Sequence, residues 1–226
     1  MKSRSVRVQV DEQGRWILPP EVMRRYGLAP GAAFNLEEID GEGLFLRPSP
    51  LALSRIYVEP TNLCNLDCST CMRNVWDEPL GRMSAATFDR ILQGVRQFSP
   101  RPLIFFGGFG EPLAHAEILG MVKAAKDTGA EVELITNGIL LDQSTASRLI
   151  DLGLDRLWVS IDGATPQSYA DVRLGDELLR VLANLERLRD LRQQRGAALP
   201  RLGVAFVAMQ RNLGDLPEVL RLGRQL

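Results

Sequence analysis

The sequence predicts an α/β fold in which about five parallel strands alternate with helices, preceded by a small β-rich module. Three observations predict it. From Ser54 onward, short apolar runs alternate with longer amphipathic stretches, the order expected of repeated βα units. The apolar runs are nearly continuous, as parallel strands covered on both faces are. Residues 1–50 follow another rhythm, with period-two alternation and frequent turn signals, which sets them apart from 51–226.

Within 1–50, Val6-Arg7-Val8-Gln9-Val10 alternates like a half-buried strand, Glu12 to Arg15 reads as a turn, and Trp16-Ile17-Leu18 as a second strand. Pro19-Pro20 open a helix from Glu21 to Tyr26, Pro20 suiting its first turn. Gly27 and Pro30-Gly31 close it. Phe34 to Ile39, the turn Asp40 to Gly43, and Leu44 to Leu46 form a hairpin, and Pro48 to Pro50 a linker.

Beyond the linker, strands are predicted at Ile56–Val58, Leu103–Phe106, Val132–Ile135, Leu157–Ile161 and Val204–Ala208. Helices are predicted at Ser84–Gln97, His115–Thr128, Asp142–Leu152, Leu178–Arg195 and Leu216–Leu226, with Ser84 and Asp142 as caps. Right-handed crossovers join the parallel strands. The last helix has no strand after it.

Composition excludes some classes of function. Basic and acidic residues nearly cancel, 27 against 28, so no global charge draws the chain to nucleic acid or anionic membrane. No apolar run approaches the roughly 18 residues a membrane span needs. No charged-then-apolar leader opens the chain and the cysteines are expected to be reduced, so a cytoplasmic location is expected.

The chemistry-bearing residues fall in the loops after the strands, where βα folds build their sites. Cys64, Cys68 and Cys71, the only cysteines, are spaced C-x3-C-x2-C directly after the first strand. Soft thiolates on one short loop favour an Fe–S cluster or zinc over hard cations. An Fe–S cluster of four irons usually takes four cysteines, so three leave one position open. An odd count so closely spaced argues against a disulfide framework. The alternative is a zinc site completed by His115, the only histidine. After the second strand comes Gly107-Gly108-Phe109-Gly110-Glu111-Pro112, where glycines allow close approach to a ligand and a carboxylate can meet an ammonium. Thr136-Asn137-Gly138 follows the third strand as an αL turn. After the fourth, Ser160 and Asp162 point to one face, and both side chains can hydrogen-bond hydroxyls such as those of a ribose. Phe105, Phe106, Phe109, Trp158 and Tyr57 read as core, and His115 as a surface or capping residue.

The cysteine spacing and its place after the first strand resemble the radical S-adenosylmethionine (SAM) superfamily. The resemblance implies a partial (βα) barrel in which Cys64, Cys68 and Cys71 hold a 4Fe–4S cluster and SAM occupies the fourth iron. Gly108, Gly110 and Glu111 match its G-x-G-E-P motif, which contacts the methionyl amino group. Ser160 and Asp162 match its ribose contacts, Arg173 the residue that takes the SAM carboxylate, and Asn212 a frequent residue after the fifth strand. The implied reaction cleaves SAM to methionine and a 5′-deoxyadenosyl radical that abstracts hydrogen from a substrate, the electron coming from a donor such as ferredoxin or flavodoxin. The family's core usually has six βα units, so the chain reads either as truncated after the fifth or as an unusually short partial barrel.

Val58-Glu59-Pro60-Thr61-Asn62-Leu63-Cys64, with Arg73 to Gly81, looks like the branch of maturases that modify proteins, peptides or cofactors, and within it those associated with tungsten-cofactor oxidoreductases. Such maturases normally carry further cysteines for auxiliary clusters, and none follows Cys71 here. In the first fifth of the chain, Gly14-Arg15, Leu18-Pro19, Glu21-Val22 and Gly27 to Gly31 resemble the AbrB/SpoVT swapped-hairpin family, which implies a homodimer through residues 1–50 and often DNA binding. Residues 1–25 carry six basic residues against three acidic ones and residues 26–50 one against four, a weaker basic face than DNA contact needs. A DNA-binding redox regulator built on the cluster is the alternative function; Glu111, Ser160, Asp162 and Arg173 argue against it, because a sensor needs no SAM cradle.

Overall fold

The computed structural model describes residues 7–26, 28, 34–40, 43–48 and 53–225, and the chain divides into two compact units, Met1–Ala52 and Leu53–Leu226. In the first, β1 (Gln9–Val10) pairs antiparallel with β2 (Trp16–Ile17). Asp11 closes the turn between them, its carboxylate accepting from the Gln13 and Arg15 backbone N–H groups and from the Arg15 guanidinium. Helix α1 (Pro20–Tyr26) begins on proline, where the missing N–H costs nothing. Strands β3 (Phe34–Ile39) and β4 (Gly43–Pro48) form an antiparallel hairpin in register from Phe34↔Pro48 to Ile39↔Gly43, so Pro48 belongs to the strand rather than to the linker. The expected features at Val6, Gly27, Pro30-Gly31 and Pro50 lie outside the described residues. Val10, Trp16, Ile17, Leu36 and Leu44 are exposed, because so small a unit has too little interior to cover them.

The second unit is one five-stranded parallel sheet in sequential order: β5 (Arg55–Val58), β6 (Leu103–Phe106), β7 (Val132–Thr136), β8 (Arg156–Ser160) and β9 (Arg201–Ala205). Helices α2 (Ala85–Val95), α3 (Ile118–Lys126), α4 (Gln143–Asp151), α5 (Pro166–Arg173), α6 (Leu178–Arg195) and α7 (Leu216–Gln225) follow or connect the strands. Ser84 and Asp142 cap α2 and α4 through side-chain oxygens that accept from Thr87 N and Thr145 N, and Thr165 heads α5 in a reciprocal capping box with Ser168.

Register explains the layering. Val58, Phe106, Leu134 and Leu157 share one sheet face and pack on Phe88, Leu92, Met121, Leu149 and Val181 from the helices. The opposite face carries Tyr57, Phe105, Glu133 and Arg156 in one row, with Ile135 and Trp158 in the next. Continuous apolar strands predicted cover on both faces, yet Tyr57 is 69% exposed, so the second face is at least partly open. Its polar members satisfy one another: buried Glu133 accepts from Arg156 Nη1 at 3.1 Å and Trp158 Nε1 at 2.9 Å, and pairs with Arg55 at 3.5 Å. Trp158 and Tyr57 are therefore not core residues, and Phe105 stacks on Tyr57 at 5.2 Å, while Phe106 is fully buried. The fifth strand starts three residues earlier than its apolar run predicted: Arg201 pairs with Arg156 and the ladder stops at Ala205 opposite Ser160. Among the described residues no helix is long and apolar enough to cross a membrane.

Candidate active site

The cysteine loop follows β5 and is braced from three sides. Thr61 Oγ1 donates to Gly81 O at 2.7 Å, and Asn62 bridges Pro79 O and Gly81 N, tying the loop to the segment before α2. Ser69 donates from both its N and its Oγ to Val172 O at the end of α5. The Glu111 backbone N–H donates to Leu63 O at 2.8 Å, joining this loop to the one after β6.

In that second loop the glycines have a specific reason. A Cβ on Gly110 would stand 1.9 Å from Thr61 O, and one on Gly108 (φ 153°) 2.5 Å from the Glu59 carboxylate. Glu59 Oε1 accepts from Phe109 N at 2.5 Å and Gly110 N at 3.2 Å. The close approach that glycine permits is thus to the first loop, in addition to any ligand, and two of the loop's N–H groups are engaged by a carboxylate of the chain itself.

Glu111 is 2% exposed and accepts three bonds: from Leu113 N (3.0 Å), Thr136 Oγ1 (2.8 Å) and Asn137 N (2.7 Å). Burial pushes its pKa up, and the hydrogen bonds from Asn137, Leu113 and Thr136 oppose that. A cationic ligand group would relieve the cost of the buried charge. Asp162, just past β8, is equally buried. Its Oδ2 lies 2.5 Å from Arg173 Nη2 and its Oδ1 accepts from Val207 N at 2.9 Å, so each oxygen of its carboxylate already has one protein partner. Asn212 donates to the Asp162 and Val207 carbonyls and so braces the backbone beside Asp162. Arg173, the last residue of α5, also donates from Nη1 to Cys68 Sγ at 3.7 Å. Burial lowers its pKa, but Asp162 and Cys68 outweigh this and leave it raised, while burial pushes the Cys68 thiol up against the opposing pull of Arg173.

Cys64, Cys68, Cys71, Gly108, Gly110, Glu111, Ser160, Asp162 and Arg173 all line a single cavity of about 290 Å³, together with Asn137 and Phe109. Phe109 stacks edge-on against Trp76 at 5.0 Å beside it, an exposed aromatic pair rather than core. His115 is elsewhere and is buried rather than superficial: Nδ1 accepts from Glu117 N and Nε2 bonds Met83 O. Both ring nitrogens of His115 are engaged by backbone groups and the residue does not line the cavity of the cysteines, which disfavours the zinc alternative that it would complete. A polynuclear cluster places each thiolate on a different iron. The donor set fits one: three free cysteines on one cavity, two of them accepting hydrogen bonds at sulfur. It also fits an amino-acid ligand, because buried Arg173 Nε lacks a partner near the buried carboxylate of Glu111.

Sequence reasoning gave little weight to two residues of the site. Glu59 stands at the end of an apolar strand in a segment read only for its family likeness, and Asn137 sits in a common turn tripeptide; only the tertiary contacts reveal what either holds.

A model of the radical SAM superfamily matches residues 58–204. A tungsten-containing aldehyde ferredoxin oxidoreductase cofactor-modifying protein of Pyrococcus furiosus is 34% identical over 167 residues, 74% of this chain and 47% of that protein. A probable GTP 3′,8-cyclase of Methanocaldococcus jannaschii is 31% identical over 173 residues, 76% of this chain and 55% of the cyclase. The chain therefore spans about half the length of the curated relatives it matches. Among solved structures, anSMEcpe with bound AdoMet and Cp18Cys peptide superposes with a TM-score of 0.63 at 18% identity, over 76% of this chain and 48% of that one, a likeness of fold.

Proposed function

The chain belongs to the radical SAM superfamily, whose enzymes use a 4Fe–4S cluster and SAM, and on that footing we propose that it is the catalytic core of a maturase acting on a protein, peptide or cofactor. The observation that carries the reading is the single cavity shared by three cysteines, a buried carboxylate and a buried guanidinium. Cys64, Cys68 and Cys71 would hold the cluster. When bound, cluster and SAM together supply one-electron and radical chemistry that no side chain of this chain provides.

The chain's own residues bind and orient. Glu111 presents its carboxylate to the SAM ammonium, a buried charge that the ligand neutralises. Arg173, held from behind by Asp162, offers Nε to the SAM carboxylate. Ser160 lines the cavity and, with Asp162 near it, stands toward the ribose. Gly108 and Gly110 let the second loop close on the first, and Glu59 fixes that closure. The kinship with a cofactor-modifying protein supports a maturation role and, within it, a tungsten-cofactor oxidoreductase as the beneficiary. A low-potential donor such as ferredoxin or flavodoxin supplies the electron.

Residues 1–50 form, in this reading, an AbrB/SpoVT-like dimerisation module attached to the core at 51–226. Its exposed Val10, Trp16, Ile17, Leu36 and Leu44 are surfaces a second copy would cover. DNA binding is not favoured, and a cytoplasmic location follows from the reduced cysteines the site requires.

The test is 5′-deoxyadenosine formation by anaerobically reconstituted protein given SAM and dithionite, beside Cys68→Ala. Cysteine-dependent product supports the reading. Full iron and sulfide loading without product refutes it and leaves the cluster-bearing regulator, for which salt-dependent binding to random DNA is the next measurement.

A further inference from the structure

Asn137 connects two parts of the site. Its backbone N–H donates to Glu111 Oε2 at 2.7 Å, and its side-chain oxygen accepts from Ile139 N at 3.0 Å, which fixes the carboxamide's orientation. That leaves Nδ2 as a donor with two acceptors in reach: Asn65 Oδ1 at 2.8 Å and Cys64 Sγ at 3.8 Å. The residue is 5% exposed, while Asn65 is exposed and Cys64 half-buried, so the donor is shielded from water and its acceptors only partly so. Cys64 Sγ also receives Leu66 N at 3.5 Å.

We propose that Asn137 is a positioning residue that sets the reduction potential of the cluster held by Cys64, through the N–H directed at that sulfur. The inference rests on the reading of the three cysteines as cluster ligands. Adding one electron to a thiolate-held cluster increases negative charge on its sulfurs, so a fixed donor stabilises the reduced form more than the oxidised form and raises the potential. Burial of the donor strengthens the effect, because fewer solvent dipoles screen it. The neighbouring Asn65 acts the other way. Its carbonyl oxygen lies 4.0 Å from Cys64 Sγ with the negative end of its dipole toward the sulfur.

The experiment is an EPR-monitored redox titration of reconstituted whole chain, dithionite supplying the electron to the cluster, with iron and sulfide content measured for each protein. Asn137→Ala removes the donor and should lower the ratio of reduced to oxidised cluster at fixed solution potential by about tenfold, a shift of about 59 mV for one electron. Asn137→Asp keeps the acceptor for Ile139 N but places a carboxylate oxygen near the sulfur, and should lower the ratio further. Asn65→Ala should raise it. A purely structural role for Asn137 would change cluster content without this ordering.

Equal potentials in wild type, Asn137→Ala and Asn137→Asp at full cluster content would overturn the proposal while leaving the cluster reading intact. If both Asn137 variants fail to load iron, Asn65→Ala decides: a higher potential supports the proposal and an unchanged or lower one overturns it. Absence of any reducible cluster in the wild type would instead remove the reading on which the inference stands.

Discussion

Replacing Asp162 with asparagine isolates the pair that holds Arg173. The side chains are 2% and 13% exposed, so solvent screening is slight. Asparagine keeps an oxygen for Val207 N but turns an amide toward Arg173 Nη2, where 2.5 Å now separates the guanidinium from its counter-charge. Removing one partner from a buried pair costs about 3–5 kcal/mol, because the remaining charge is left uncompensated. The Cys68 contact retains part of the interaction, which places the expected loss for Asp162→Asn at the lower end, about 3 kcal/mol. Arg173→Met alone should cost a similar amount. The double variant, with no buried charge left over, should cost less than the sum of the two by about 2–3 kcal/mol, the coupling expected of groups in direct contact. Urea unfolding of the whole apo chain measures all three, the midpoint giving the loss provided the slope is unchanged. A loss below about 1 kcal/mol for Asp162→Asn, or strict additivity in the double variant, would refute the idea that Asp162 holds the arginine.

Two further predictions concern the second loop. Gly110→Ala should abolish 5′-deoxyadenosine formation and destabilise the chain by about 1–3 kcal/mol or more, since its Cβ meets the Thr61 carbonyl and backbone, unlike a flexible side-chain tip, has nowhere to move; wild-type SAM binding in that variant, read by equilibrium dialysis, would contradict this. Glu111 gives a pH dependence. Its folded pKa is raised above the ordinary 4.5, so its contribution to stability is fully present below 4.5 and is lost as pH rises through the raised value. Replacement by glutamine should flatten that segment of the apo chain's stability against pH, and an unchanged profile would show that the carboxylate is not strained by burial.

The residues legible in the sequence were those whose chemistry is local. Three cysteines within eight residues signal thiolate chemistry wherever they fold, and Glu111 is marked by the glycines around it. The alternation of strands and helices was legible for the same reason, since each βα unit carries its own apolar pattern. What escaped depended on contacts distant in the chain. Nothing near Asp162 in the sequence announces that Arg173 and Val207 each engage one of its oxygens. Tyr57 looked like core because an apolar strand does not reveal that one sheet face is open. The fifth strand was misplaced because its apolar run extends past Ala205, whereas pairing with β8 ends at Ser160.

These distant contacts share a pattern. Glu59 holds the loop of Glu111, Glu111 accepts from Asn137, Asn137 donates to Cys64, and Arg173 joins Cys68 to Asp162. Three of these loops are therefore each held by a side chain from another loop, and the fourth by Arg173 of α5, which separate βα turns alone would not achieve. Such cross-bracing ties the loops around the cavity to one another. The cavity keeps its shape because its polar groups hold one another. The arrangement commits most of their hydrogen-bonding capacity internally, so a ligand must be recognised by what remains: the Glu111 charge, Arg173 Nε and the thiolates. Those three remainders match an ammonium, a carboxylate and a soft metal cluster, the parts that an amino-acid cofactor bound at an iron–sulfur centre would present.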